Sequence, residues 1–158
     1  MGKEIERKFL VTGEEWKEMA EGIRYRQGYL SSAIERTVRV RTVGERAFLT
    51  VKGPTRGVTR LEFEYPIPYE DCVAMLDALA EKPVIDKVRR KIAFAGHVWE
   101  VDEFFGENAG LVVAEVELQS EGEPFEKPAW VGREVSGDPR YYNSSLIAHP
   151  YSEWKDKA

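Results

Sequence analysis

The sequence predicts an α+β fold that is mainly antiparallel β, and three observations carry that reading. Charged or polar residues alternate with apolar ones along 4–8, 37–41, 50–52, 60–64, 87–91, 100–102 and 115–117, the pattern of a strand with two unlike faces. Glycine-containing turns at Gly44-Glu45, Gly53–Gly57 and Gly96 separate successive segments, and the first of them closes a hairpin. The charges are also sorted by sign: Glu4/Glu6, Glu62/Glu64 and Glu115/Glu117 are anionic pairs, whereas Arg39/Arg41 and Lys87/Arg89 are cationic. Like charges on one strand face repel unless something opposes them, and a solvated surface mixes its signs. A two-layer sandwich with its charges in water accommodates the alternation but leaves the sorting unexplained. A closed antiparallel barrel turned inside out accommodates both. Its lumen is charged, helices cover its apolar exterior, and about eight strands enclose one small ligand.

The elements follow in order. Lys3 to Val11 is a strand with Glu4, Glu6 and Lys8 on one face and Ile5 and Phe9 on the other, beside Arg7. Thr12, with Glu15 three residues on, predicts a capped helix over 13–21 that presents Trp16, Met19 and Ala20 and ends at Gly22. Strands are predicted over 24–30, 35–42 and 47–52, then 60–65 after the Gly53-Pro54-Thr55-Arg56-Gly57 loop. Cys72, Val73, Leu76 and Leu79 recur at helical spacing within 69–81, and Pro83 stops that helix. Strands over 84–94, 97–105 and 111–118 complete the set. After Gln119 the chain turns polar and proline-containing, with one or two helical turns over 143–148 and a charged tail expected to fray from Ser152.

With 158 residues the chain is expected to be one domain, 1–158, with a real core. No apolar run approaches the roughly 20 residues of a membrane span, and charge interrupts the N-terminus at once, unlike a signal peptide. The single cysteine, Cys72, excludes an internal disulfide framework and a cysteine zinc site, and fits a reducing cytoplasm. A net charge of −5 and the lack of basic-aromatic interleaving argue against a nucleic-acid partner. Whether the chain forms a homodimer is left open.

Inward carboxylates without compensation are prohibitive in a low-dielectric space. Divalent cations stabilise them, and a polyanion stabilises the facing Arg and Lys. Carboxylates with Arg and Lys, without a Cys or His cluster, suit a hard oxygen-liganded ion such as Mg²⁺ or Mn²⁺. The ligand implied is a metal-bound polyphosphate.

Glu4-Ile5-Glu6-Arg7-Lys8-Phe9 carries an E-x-E-x-K signature. With Gln27-Gly28-Tyr29-Leu30, Arg39-Val40-Arg41, Thr50-Val51-Lys52, Glu62-Phe63-Glu64, Lys87-Val88-Arg89, Trp99-Glu100-Val101-Asp102 and Glu115-Val116-Glu117-Leu118, the chain resembles the CYTH domain, or triphosphate tunnel metalloenzymes, of the short bacterial type. Gly132-Arg133-Glu134-Val135 and Tyr142-Asn143 extend the likeness. The resemblance implies an eight-stranded closed tunnel and hydrolysis or cyclisation of a triphosphate with Mg²⁺ or Mn²⁺. Carried over by motif, Glu4, Glu6, Glu115 and Glu117 would hold metal, and Asp102 is expected with them. Arg39, Arg41, Lys52, Lys87 and Arg89 would grip phosphate oxygens. Lys8 would lie near the reacting phosphate. Glu62 and Glu64 would bind a second metal or orient water, and Tyr29 joins them as a catalytic candidate.

The expected activity is hydrolysis of inorganic tripolyphosphate to pyrophosphate and phosphate. A class IV type adenylate cyclase and a thiamine triphosphatase are the alternatives within the resemblance. A non-catalytic polyphosphate-binding module is the alternative outside enzymology, and it has no need of three carboxylate pairs. His97 and His149 lack partners at useful spacing, and Cys72 and the four tryptophans read as packing residues.

Overall fold

The barrel closes at its first strand. In a computed structural model, which describes residues 3–154, β1 (Lys3–Val11) is hydrogen-bonded to three other strands. The others are β2 (Gly22–Ser31), β3 (Thr37–Val43), β4 (Arg46–Lys52), β5 (Thr59–Pro66), β6 (Ile85–Phe94), β7 (His97–Phe104), β8 (Val112–Glu117) and β9 (Val131–Glu134). Around the barrel the order is β1-β5-β4-β3-β2-β6-β7-β8 and back to β1, with β9 added beside the end of β1. All pairings are antiparallel, and β1 meets β5 through Lys3↔Leu61 to Ile5↔Thr59 and β8 through Glu6↔Glu117 to Leu10↔Val113. The closed, inside-out barrel is therefore the architecture, and the sandwich is excluded.

Because the inward faces carry charge, the apolar core lies mostly outside the sheet. Phe9, Trp99, Val101, Ala114 and Val116 form one outer patch beneath Trp16, Leu118 and Trp130. Trp99 meets Phe9 at 5.5 Å and Phe125 at 5.8 Å between ring centroids, within the range in which tilted aromatic pairs attract. A second patch forms where helix α1 (Tyr69–Ala78) lays Cys72 and Leu76 on Val40 and Ala47. At one end of the barrel the inward faces themselves turn apolar. Leu10, Tyr29, Ile85, Phe104 and Val113 pack there against Val135, Tyr141, Leu146, Ile147 and Trp154 of the C-terminal segment, which includes the short helix α2 (Ser145–Ala148).

Several expected elements differ. The helix over 13–21 is only a 3-10 turn, Glu15–Glu18. Thr12 does not cap it; Glu14 stands at the cap position, and Thr12 donates through its hydroxyl and its N–H to the carbonyl of Trp130. Gly22 starts β2 where a helix end was expected, and any Cβ there would lie 2.4 Å from Val88 Cγ1. Helix α1 stops at Ala78, leaving Leu79 exposed where an apolar stripe predicted burial. Trp130–Val135, read only as a lead into a turn, contains β9. The tail forms a 3-10 turn at Tyr151–Glu153 and buries Trp154, while 155–158 lie outside the described residues. The apolar face of β5 is bare: Leu61, Phe63 and Tyr65 are exposed, not covered by helices or loops. Among the described residues no helix is long and apolar enough to cross a membrane.

Gly28 shows how closely α1 docks. A Cβ there would sit 2.8 Å from Ala80 Cβ and 3.0 Å from Leu76 Cδ2. Gly28→Ala is expected to destabilise the protein by about 1–3 kcal/mol, the usual cost of overpacking, measured by urea unfolding. An unchanged midpoint would mean that the helix shifts freely.

Candidate active site in the barrel lumen

The inward residues of neighbouring strands enclose a cavity of 240 Å³. One wall is acidic. Glu4 and Glu6 project from β1, Glu115 and Glu117 from β8 and Glu100 from β7, and register places Glu6 opposite Glu117 and Lys8 opposite Glu115. The facing wall is basic, with Arg39 and Arg41 from β3, Lys52 from β4, and Lys87 and Arg89 from β6. Glu62 and Glu64 line it from β5, and Tyr29 from β2. All the sequence-predicted site residues except Asp102 line this one cavity.

Within it, cations and carboxylates satisfy one another unevenly. Lys52 Nζ lies 3.0 Å from Glu4 and 3.3 Å from Glu62. Arg41 reaches Glu64 at 3.1 Å, and Thr50 Oγ1 donates to the same carboxylate at 2.9 Å. Arg89 lies 3.3 Å from Glu115 and 3.2 Å from Glu100. Lys8 Nζ donates to the Tyr141 carbonyl at 3.0 Å and stands 3.6 Å from Glu115. Glu6 has no cation in contact among the described residues. Burial, then the neighbouring Glu115 and Glu4, push its carboxyl well above the ordinary range. Burial raises Glu117 as well, with Glu4 and Glu100 adding to the effect. Glu115 is the opposite case: although burial opposes it, Lys8 and Arg89 hold its carboxyl well below the usual range.

The basic wall is crowded in the same way. Burial brings the Arg41 guanidinium down to about 10, and Arg39 and Arg89 press in the same direction. The Nε groups of Arg39 and Arg41 have no acceptor within the described protein. Lys87 is fully buried and brought down to about 8 by that burial, against the attraction of Asp102.

Asp102 requires a correction. Expected among the metal ligands, it lies behind the cavity wall and is 1% exposed. One oxygen accepts from Lys87 Nζ at 2.8 Å and the other from Arg89 Nε at 2.7 Å. It shares a strand face with Glu100, and both of its oxygens are taken by Lys87 and Arg89, two of the phosphate-grip candidates.

Arg60, Thr37, Ser136, Tyr142, Asn143 and Ser144 line the cavity without having been predicted to. Arg60 carried a usable signal, since it shares a strand face with Glu62 and Glu64. Thr37 carried the same signal, sharing a face with Arg39 and Arg41. Tyr142 and Asn143 carried only the family likeness, whereas Ser136 and Ser144 carried none, because their segment is irregular and has no period.

The residues fit a divalent cation. Glu6, which has no cation in contact among the described residues, would with Glu4, Glu115 and Glu117 offer carboxylate oxygens from two adjacent strands, the donor set of a hard ion. Among the described residues no three His, Cys, Asp or Glu side chains form a ready-made cage. One of these carboxylates, Glu4, is paired with Lys52 at 3.0 Å.

A closed barrel whose lumen sets a carboxylate wall against an arginine and lysine wall defines a polyanion-binding tunnel protein. The family model described as the CYTH domain matches residues 2–151, and the chain belongs to that family. It is 53% identical to an inorganic triphosphatase of Acetivibrio thermocellus over 99% of this chain and 100% of that protein. It is 35% identical to an inorganic triphosphatase of Nitrosomonas europaea, covering 90% of this chain and 95% of the relative. A solved structure of an inorganic triphosphatase superposes with a TM-score of 0.66 at 33% identity, covering 90% of this chain and 96% of that one.

The electrostatics of Glu6 generate a stability prediction. A carboxyl whose pKa is raised on folding contributes stability below its unfolded value, near 4.5, and loses it as pH rises through the folded value. Glu6→Gln mimics the protonated form. It is expected to raise the thermal midpoint of the metal-free protein at neutral pH, with the gain shrinking toward pH 4.5 and below. Thermal unfolding across pH checks this, and a loss of stability at neutral pH would contradict it.

Proposed function

We propose that this protein hydrolyses inorganic tripolyphosphate to pyrophosphate and phosphate within the lumen. The observation that carries the reading is the pair of opposed walls, each crowded with like charge that a metal-bound polyphosphate would neutralise. The names of the two relatives, both inorganic triphosphatases aligned over nearly their whole length, support it.

In this reading Glu4, Glu6, Glu115 and Glu117 hold Mg²⁺ or Mn²⁺, which when bound neutralises phosphate oxygens and polarises the phosphorus under attack. Arg39, Arg41, Lys52, Lys87 and Arg89 grip the phosphate chain. Arg supplies planar bidentate donors, and Lys a compact point charge. Asp102 keeps Lys87 and Arg89 aimed. Lys8 shares a strand face with Glu4 and Glu6, where same-face neighbours lie about 7 Å apart, so its ammonium reaches a phosphoryl group held beside them. Charge on the transferring and leaving oxygens is thus met by groups already in place, the largest usual source of catalysis in phosphoryl transfer. Glu62 and Glu64, partly solvent-accessible, suit orientation of the attacking water. Tyr29 lines the cavity at the apolar end of the lumen. Although burial opposes it, Lys8 is kept protonated by Glu115 and Glu6, which outweigh that cost.

Phosphate release from tripolyphosphate, ATP, thiamine triphosphate and pyrophosphate, each with Mg²⁺ and with Mn²⁺, tests the reading. Tripolyphosphate is expected to be preferred and a chelator to abolish turnover. A preference for ATP, with cyclic product, would favour the cyclase alternative.

The division between grip and chemistry is separately testable. Interactions equal in ground and transition states change KM, and those made only in the transition state change kcat. Arg39→Ala is expected chiefly to raise KM. Lys8→Ala is expected to lower kcat by about 10²–10³-fold, the scale of losing one preorganised electrostatic group. If steady-state kinetics show Lys8→Ala weakening binding alone, Lys8 is one more phosphate clamp.

A further inference from the structure

We propose that Ser136 and Glu134, backed by Arg7, are positioning residues that set the ammonium of Lys8. The inference rests on the reading of Lys8 as the group acting on the transferring phosphoryl.

The C-terminal segment binds Lys8 at three points. The Lys8 N–H donates to Ser136 Oγ at 2.9 Å. The Lys8 carbonyl accepts from the Val135 N–H at 2.8 Å. The ammonium donates to the Tyr141 carbonyl at 3.0 Å. Both backbone groups and the side-chain head of one residue are therefore held by a seven-residue stretch, 135–141, that is itself fixed by the buried Val135 and Tyr141.

Ser136 is held in turn. Its hydroxyl lies 2.6 Å from Glu134 Oε2 and 3.4 Å from the Lys8 carbonyl. One hydroxyl has one hydrogen, and it goes to the nearer, charged acceptor, which leaves a lone pair for the Lys8 N–H. Arg7 keeps Glu134 ionised and fixed, with Nε at 2.8 Å from one oxygen and a second bond to the other. Arg7 is anchored over the Phe125 ring, 4.9 Å from its centroid. A relay of bonds, charge-assisted as far as the Ser136 hydroxyl, thus runs from the outer face of β1 to the backbone of the residue whose side chain enters the lumen. Such bonds are shorter and more directional than neutral ones. Lys8 needs the help because its side chain is long and the carboxylate beside it, Glu115, is 3.6 Å away, beyond hydrogen-bond range.

The test is a kinetic cycle on the full chain with tripolyphosphate and Mg²⁺ or Mn²⁺. Ser136→Ala is expected to lower kcat by about 10–100-fold, since displacements near 1 Å carry losses of that order, with KM within about twofold. Ser136→Thr, which keeps the hydroxyl, should restore most of the kcat. In a Lys8→Ala background, Ser136→Ala should have no further effect, because the group it positions is gone. Equal losses in both backgrounds, a rise in KM in place of a fall in kcat, or a Thr variant as poor as Ala would overturn the proposal. Should Ser136→Ala fail to fold, Glu134→Gln enters the same cycle with the same expectation in kind. It keeps the shape of the acceptor and removes its charge. A Lys8→Ala variant with intact kcat would remove the proposal together with the reading beneath it. Lys8→Ala inactive beside a fully active Ser136→Ala would remove the positioning role alone.

Discussion

Charge enclosed by a closed sheet has to be opposed by charge, because the inner lumen, where Lys87, Arg89, Asp102 and Glu115 are buried, is shielded from bulk water and backbone dipoles are already spent on the strand ladder. That constraint orders the molecule. Glu4, Glu6, Glu115 and Glu117 stand on adjacent strands, so they repel one another. Arg39, Arg41, Lys87 and Arg89 do the same from the other side. The like charges within each wall are offset by the opposite wall, through pairs such as Lys52 with Glu4 and Arg89 with Glu115. With the inner face given to charge, the apolar residues of the same strands must be covered from outside. Trp16, Trp130 and Phe125 therefore cover one flank and α1 covers another.

The compensation is layered along the barrel axis, and the layers divide the work. Deepest are Leu10, Ile85, Phe104 and Val113, which are apolar and sealed by the C-terminal segment. Next come Lys87, Asp102 and Arg89, with Asp102 saturated by the two cations. Nothing in that layer seeks a ligand through Asp102, which instead makes a rigid base for the cations above it. Farther out, Glu6 and Glu117 remain under-compensated, and Glu100 shares Arg89 with Asp102 and Glu115. In the proposed reading this outer layer, where pairing is incomplete, supplies the metal ligands, and Lys87 and Arg89 of the layer beneath face the phosphate chain.

The same layering explains what could and could not be read from the sequence. Period-two alternation reports which face a strand residue occupies, and it placed Glu4, Glu6, Arg39, Arg41, Lys52, Glu62, Glu64, Lys87, Arg89, Glu115 and Glu117 in the lumen, where they are. Alternation is silent about depth, and Asp102 was misplaced for that reason: it shares a face with Glu100 but lies one layer lower. The helix expected after Thr12 is only a short turn, and Thr12 is drawn to the Trp130 carbonyl by a tertiary contact that the local pattern does not report. Strand β9 is four residues long, too short to show a period, and Ser136 to Ser144 follow no period at all. These aperiodic residues nevertheless close the lumen and contact Lys8. The wall built from regular structure was legible, whereas the part built from irregular chain was not.

A site arranged in this way sets ligand affinity against stability. In the ligand-free state, desolvated carboxylates and guanidinium groups make imperfect pairs, and each residual repulsion subtracts from folding free energy. Metal and polyphosphate together reverse those terms, so a ligand that binds only the folded barrel stabilises it in proportion to the logarithm of its concentration over Kd. The apolar patches outside the sheet must therefore carry the ligand-free fold. They contain most of the large buried side chains, including Trp16, Trp99, Phe9 and Leu76. Separation of a stabilising exterior from a strained interior lets the lumen keep its unpaired charge ready for the reaction. A barrel with the usual polarity, apolar inside, has no such freedom, because its core and its ligand site compete for the same space.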